Sequence, residues 1–152
     1  MKVPPSLRRE HEELHADLGR ASKMPGRLGE TAREVARIMH PHFLREDEYA
    51  MPPLSLLPRL ARGRVTPDMA DVLPLVSRLK EEMPLMIEEH RAISAAVQAF
   101  AAAAEAEGDD NCIRCAADLI VHAQLEEEVL YPAAILVGEF VKAQLHPQPV
   151  TA

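Results

Sequence analysis

The sequence predicts an all-α protein: an antiparallel up-down four-helix bundle with an extra short helical segment between its second and third main helices. Three observations lead there. Apolar residues and histidines recur at three- and four-residue spacing along most of the chain, the mark of a helix face. No segment alternates like a strand, and 6 glycines with no tryptophan in 152 residues argue against a turn-rich β protein. A histidine–acid motif also recurs at an offset of 80 residues, which divides the chain into two matched helix pairs.

Leu7, His11, Leu14, His15 and Leu18 share one face of a first helix, which Pro5 and Ser6 open and the Met24-Pro25-Gly26 stretch ends. A second helix is expected from about Gly29 to Met51, with Val35, Ile38, Met39, His42, Phe43 and Glu46 inward. Pro41 lacks a donor and crowds the carbonyl four residues back, so a kink is expected there. Pro52-Pro53 ends this helix. The apolar piece from Leu54 to Leu60 forms the extra segment, closed by Arg62-Gly63-Arg64.

Thr66 as cap and Pro67 in the first turn start a long helix that runs to about Glu107, with Pro74 and Pro84 expected to kink or split it. After Glu107-Gly108, Asp109 or Asp110 caps a last helix carrying Ile113, Ala116, Leu119, Ile120, His122 and Glu126. Pro132 interrupts it, a helical tail reaches about Leu145, and His146-Pro147-Gln148-Pro149 is expected to fray. Residues 1–152 read as one domain, with a core at about 6–145 and halves at about 6–52 and 67–145.

Lys and Arg number 17 against 24 Asp and Glu, a net charge of −7 with neutral histidine. A net acidic chain without a basic run is a poor ligand for nucleic acid. No apolar stretch follows the N-terminal Met1-Lys2-Val3-Pro4-Pro5, and no window matches a membrane span, so a soluble cytoplasmic protein is expected. Cys112 and Cys115 form a C-x-x-C at a helix start but lack a βαβ setting, so two ordinary, partly buried thiols are expected.

Seven histidines against five aromatic residues is the unusual feature of the composition. Residues 42–52 read HFLREDEYAMP and residues 122–132 read HAQLEEEVLYP, both H-x-x-x-E-[DE]-E-x-x-x-P. Glu10-His11 and Glu89-His90 form a second match, offset by 79. Residues four apart lie one turn apart on the same face, so His42 with Glu46 and His122 with Glu126 point the same way. His11 and His90 come from the other helix of each pair. Four imidazoles and two carboxylates in a core would each cost on the order of 2–7 kcal/mol if unpartnered. Metal ions offset that cost, and imidazole with carboxylate suits Fe, Mn or Zn. Two ions bridged by Glu46 and Glu126 would each keep two histidines and an open position.

These motifs resemble those of the hemerythrin-like, or HHE cation-binding, domain family over about residues 7 to 135. The resemblance implies a hemerythrin-like bundle around a non-heme, oxo- or hydroxo-bridged pair of iron ions. By analogy His11 and His42 hold one iron, His90 and His122 the other, and Glu46 and Glu126 bridge them. The oxygen-carrying members have a further histidine where this chain has Ser94, and an aspartate where it has Glu127. The match is therefore to the bacterial four-histidine, two-glutamate variety. The resemblance implies binding of O2, NO or peroxide, in oxygen, NO or redox sensing, storage or stress response. A di-iron redox enzyme, peroxide-consuming or ferroxidase-like, is the alternative, and a bundle holding another cation or none is a third reading.

His15, one turn after His11, is a possible additional ligand or a half-exposed polar residue, and Glu127 is a possible replacement for Glu126. Glu10, Glu89, Asp47, Glu48, Glu127 and Glu128 are expected on solvated faces, with an outer hydrogen-bonding role for Glu10 and Glu89 as the sharper option. Tyr49 and Tyr131 are expected to pack at the end of the bundle, with a hydrogen bond to an iron-bound oxygen species or an electron relay as the sharper option for one of them. Met39, Met83 and Met86 read as core, with Met86 a possible pocket wall. His40 is expected to face away from the site, and His146 to be solvated.

Overall fold

A computed structural model of the chain describes residues 1–146. It contains α1 (Pro5–Ala21), α2 (Gly26–Arg45), α3 (Leu57–Leu60), α4 (Val72–Glu107), α5 (Asp110–Leu125) and α6 (Tyr131–Leu145), and no strand among the described residues. α1 packs on α2, α2 on α4, α4 on α5 and α5 back on α1, which closes the four-membered ring of a hemerythrin-like helical bundle. The extra segment consists of 3₁₀ turns at Pro52–Leu56 and Pro67–Asp71 with α3 between them, and its turns pack against α4 and α6. The stretch from residue 147 onward, expected to fray, lies outside the described residues. No helix among them is long and apolar enough to cross a membrane.

Pro41, Pro74 and Pro84 split no helix. α2 runs through Pro41 and α4 through Pro84 without a break. Both prolines are exposed, so the carbonyl each one frees can turn to water. Pro74 sits in the first turn of α4, where no intrahelical donor is missing. The changes of helix type fall instead at Glu46–Ala50 and Glu126–Leu130, each a π turn. The Met51 N–H reaches back five residues to the Glu46 carbonyl at 2.9 Å, and the Tyr131 N–H does the same to Glu126. Pro52 and Pro132 follow these turns, and the carbonyls they would crowd in an α-helix, those of Glu48 and Glu128, lie within the widened segments.

Gly108 ends α4 in the left-handed conformation, φ +65°, where a side chain would be strained. Asp109 then caps α5 by accepting the Cys112 N–H at 3.0 Å. Thr66 sits at the expected cap position but makes no capping bond, and its hydroxyl accepts from Arg59 instead.

Two apolar clusters bracket the middle of the bundle. One joins Leu18, Leu28, Val35, Phe100 and Leu119, and the other joins Tyr49, Met51, Leu79, Met86 and Tyr131. A third, of Leu56, Met69, Val72, Val76, Val137 and Val141, fastens the extra segment to α4 and α6. There Gly138 lets α6 approach α4 closely, since a Cβ on it would meet Val76 at 2.6 Å.

Candidate metal centre

Between the first two clusters, α1 carries His11, α2 ends with His42 just before Glu46, α4 carries His90, and α5 ends with His122 just before Glu126. All six are buried, and both glutamates are fully enclosed. They form two sets whose ligand atoms all lie within 4.8 Å of one another: His11, Glu46, His122 and Glu126, and His42, Glu46, His90 and Glu126.

Each carboxylate divides its oxygens between the sets. Glu46 Oε1 is 3.2 Å from His42 Nε2, while its Oε2 is 3.7 Å from His11 Nε2. Glu126 Oε2 is 3.1 Å from His90 Nε2, while its Oε1 is 2.6 Å from His122 Nε2 and 3.4 Å from His11 Nε2. The grouping differs from the one the resemblance implies. His11 stands with His122 and His42 with His90, whose Nε2 atoms are 2.9 Å apart, because these histidines meet across the seam between the two helix pairs.

The outward ring nitrogens have acidic partners. His42 Nδ1 is 2.8 Å from Glu89, His90 Nδ1 is 2.8 Å from Glu127, His122 Nδ1 is 3.0 Å from Glu10, and His11 Nδ1 is 3.5 Å from Asp47. Glu10 and Glu89 thus take the outer hydrogen-bonding role rather than the solvated face, and Glu127 bonds His90 from an exposed position, while Asp47 stays exposed and makes no hydrogen bond to His11. Glu127 does not replace Glu126; it backs His90 from outside. The pattern maps onto itself under the repeat, His11–Asp47 onto His90–Glu127 and His42–Glu89 onto His122–Glu10. Such partners fix the tautomer and aim Nε2 inward.

Tyr131 departs from the expectation of bundle-end packing. Its hydroxyl donates to Glu46 Oε1 and lies 3.2 Å from His90 Nε2 and 3.5 Å from His42 Nε2. Tyr49 packs as expected, its hydroxyl donating to Glu82 at 2.6 Å and contacting the Met86 sulfur, with Arg78 over its ring. On the opposite side of the site, Phe43 stacks on His11 with ring centroids 4.4 Å apart.

His15 is exposed, 6.1 Å from the His40 ring, and belongs to neither close set: Leu14 and Leu18 hold the inward positions of α1. It lines a groove with His11, His40, Phe43 and Asp47. His40 and His146 are exposed. Cys112 and Cys115 are free, buried thiols rather than partly buried ones. Burial raises both pKa values, that of Cys115 to about 11, which leaves them protonated and inert at neutral pH.

Burial alone would lower the histidine pKa values, but the enclosed carboxylates outweigh it. Glu46 and Glu89 raise His42 to about 9, and Glu126 and Glu10 raise His122 to about 9. The two glutamates differ. Burial and the charge of Glu126 push the Glu46 carboxyl up, whereas the surrounding histidines outweigh burial at Glu126 and hold it well below its ordinary value. Burial and both glutamates push the Tyr131 phenol up.

The donor set fits metal ions on a second count. His11 Nε2, His122 Nε2, Glu46 Oε2 and Glu126 Oε1 are buried and make no hydrogen bond, and they are the four inward atoms of one set. Four convergent lone-pair donors without partners cost several kcal/mol unless a cation takes them, on the order of 1–3 each.

A family model described as the hemerythrin HHE cation binding domain matches residues 5–134. No curated protein and no solved structure matches the chain.

Proposed function

The chain belongs to the hemerythrin HHE cation-binding domain family, and from that premise we propose that it holds two iron ions and binds O2, NO or peroxide beside them, in sensing, storage or stress response. His11 and His122 would serve one ion, His42 and His90 the other, and Glu46 and Glu126 both. The observation that carries this reading is the division of each buried carboxylate, one oxygen toward each histidine pair. Iron supplies a change of oxidation state and a coordination position for a small ligand.

The chain's own residues do the rest. Glu89, Glu127 and Glu10 hold the Nδ1 side of His42, His90 and His122 and so aim each Nε2 inward, where a metal ion would displace the proton it carries. The apolar clusters on either side limit water around the carboxylates and strengthen their attraction for cations. The groove beside His11 gives a small molecule a short path from the surface.

Elemental analysis of protein purified under air, with an absorption spectrum of the same sample, tests this reading. About two irons per chain with near-ultraviolet bands that respond to azide or peroxide are expected. No iron after expression in iron-supplied cells, and none after anaerobic reconstitution, would overturn it. Sustained peroxide turnover by the loaded protein would assign it to the redox enzymes rather than to carriers or sensors.

A further inference from the structure

Resting on the two-metal reading, we propose that Tyr131 is a fifth protein ligand, through its phenol oxygen, to the ion held by His42 and His90, so that the two ions differ in kind. Metal–donor bonds of about 2.0–2.1 Å at right angles separate neighbouring donors by roughly 3 Å. The atoms around this position show that spacing. His42 Nε2 and His90 Nε2 are 2.9 Å apart, and each is 3.1–3.2 Å from its glutamate oxygen. Tyr131 Oη joins them at 3.2 Å from His90 Nε2 and 3.5 Å from His42 Nε2, in contact with Glu46 Oε1. It sits where a ligand atom sits, not where a wall sits.

The placement is held from behind. Tyr131 is buried, and its ring stacks on His90 with centroids 5.7 Å apart. A phenolate oxygen is a hard donor that ferric iron accepts in some haem proteins. Coordination exchanges the O–H···Glu46 hydrogen bond for an oxygen–metal bond and releases one proton to solvent, with no change in electron count.

The repeat supplies no counterpart. The residue 80 positions before Tyr131 is Met51, a thioether buried in the apolar cluster. The His11–His122 side has Phe43 against its ring instead, and all four of its inward atoms lack hydrogen bonds. One ion therefore has five protein donors and the other four, which leaves the second the more open to the incoming molecule.

Resonance Raman spectroscopy of the ferric, iron-loaded protein tests this. Tyr49 and Tyr131 are the only tyrosines, so Tyr49→Phe leaves one. Tyrosinate ring modes under a visible charge-transfer band are expected in the wild type and in Tyr49→Phe, shifted by ring-deuterated tyrosine. Tyr131→Phe is expected to lose band and modes while retaining iron. The labelled wild type and Tyr49→Phe decide the matter even if Tyr131→Phe does not fold. Two irons per chain with no tyrosinate modes, or modes that vanish in Tyr49→Phe, would overturn the inference and leave the two-metal reading standing. A wild type that takes up no iron would overturn both.

Discussion

The Nδ1 of His42 lies 2.8 Å from the carboxylate of Glu89, a residue 47 positions further along the chain and on a different helix. Arg45 holds the other oxygen of that carboxylate, so the contact is braced on both sides. Glu89→Ala should weaken metal binding by about 10- to 100-fold without unfolding the bundle. Competition with a chelator of known affinity measures this. An unchanged affinity would return Glu89 to the solvated face.

Glu46 offers one oxygen to each histidine pair, while each histidine serves one pair. Glu46→Ala should therefore lose both ions, and His122→Ala only the one beside it. Metal counts per chain distinguish the two variants. Two ions retained in Glu46→Ala would exclude a bridging role.

His42 and His122 are raised to about 9 in the metal-free protein. A raised folded-state pKa gives stability that is fully present below the unfolded value of about 6.5 and is lost as pH climbs through about 9. The metal-free protein should then melt at lower temperature at pH 9.5 than at pH 6.5. Metal must displace these protons, so its affinity should rise over the same window, with proton uptake by buffer visible in calorimetry. A flat affinity between pH 6.5 and 9.5 would contradict the histidine–carboxylate coupling.

Gly138 packs against Val76, and a methyl there would stand 2.6 Å from a Val76 methyl. Gly138→Ala should cost about 1–3 kcal/mol by overpacking. Adding Val76→Ala should return part of it, since the two sites are in contact and not additive. Urea denaturation of the single and double variants measures both terms.

The six buried histidines and glutamates were legible because two signals coincided, i,i+4 spacing and a second copy 80 residues on. The outer acids were not. Along one helix Glu89 looks like any charge on a wet face, and its partner lies on another helix that the sequence does not bring near. Tyr131 was legible only as one of two options, because a change of pitch decides where it points. Nine residues beyond His122, it falls about half a turn away from the site on a regular α-helix of 100° per residue. The π turn at Glu126–Leu130 absorbs one residue and rotates it back toward the glutamates. Pro74 and Pro84 leave α4 unsplit, since a proline in a first turn or on an exposed face costs little.

Two of the Nδ1–carboxylate pairs, His11–Asp47 and His90–Glu127, are internal to one helix pair, and the other two cross between pairs. Each close set likewise draws one histidine and one glutamate from each pair. The centre is thus a seam, and cations placed in it act as a clasp. The connection through residues 61–66 works as a tether that keeps one helix pair at high effective concentration, on the order of millimolar, near the other. Cut that tether, and the two fragments become subunits that the shared apolar clusters bring together and metal should fasten. The ions would then be part of the adhesive of an interface as well as the cofactor of a reaction.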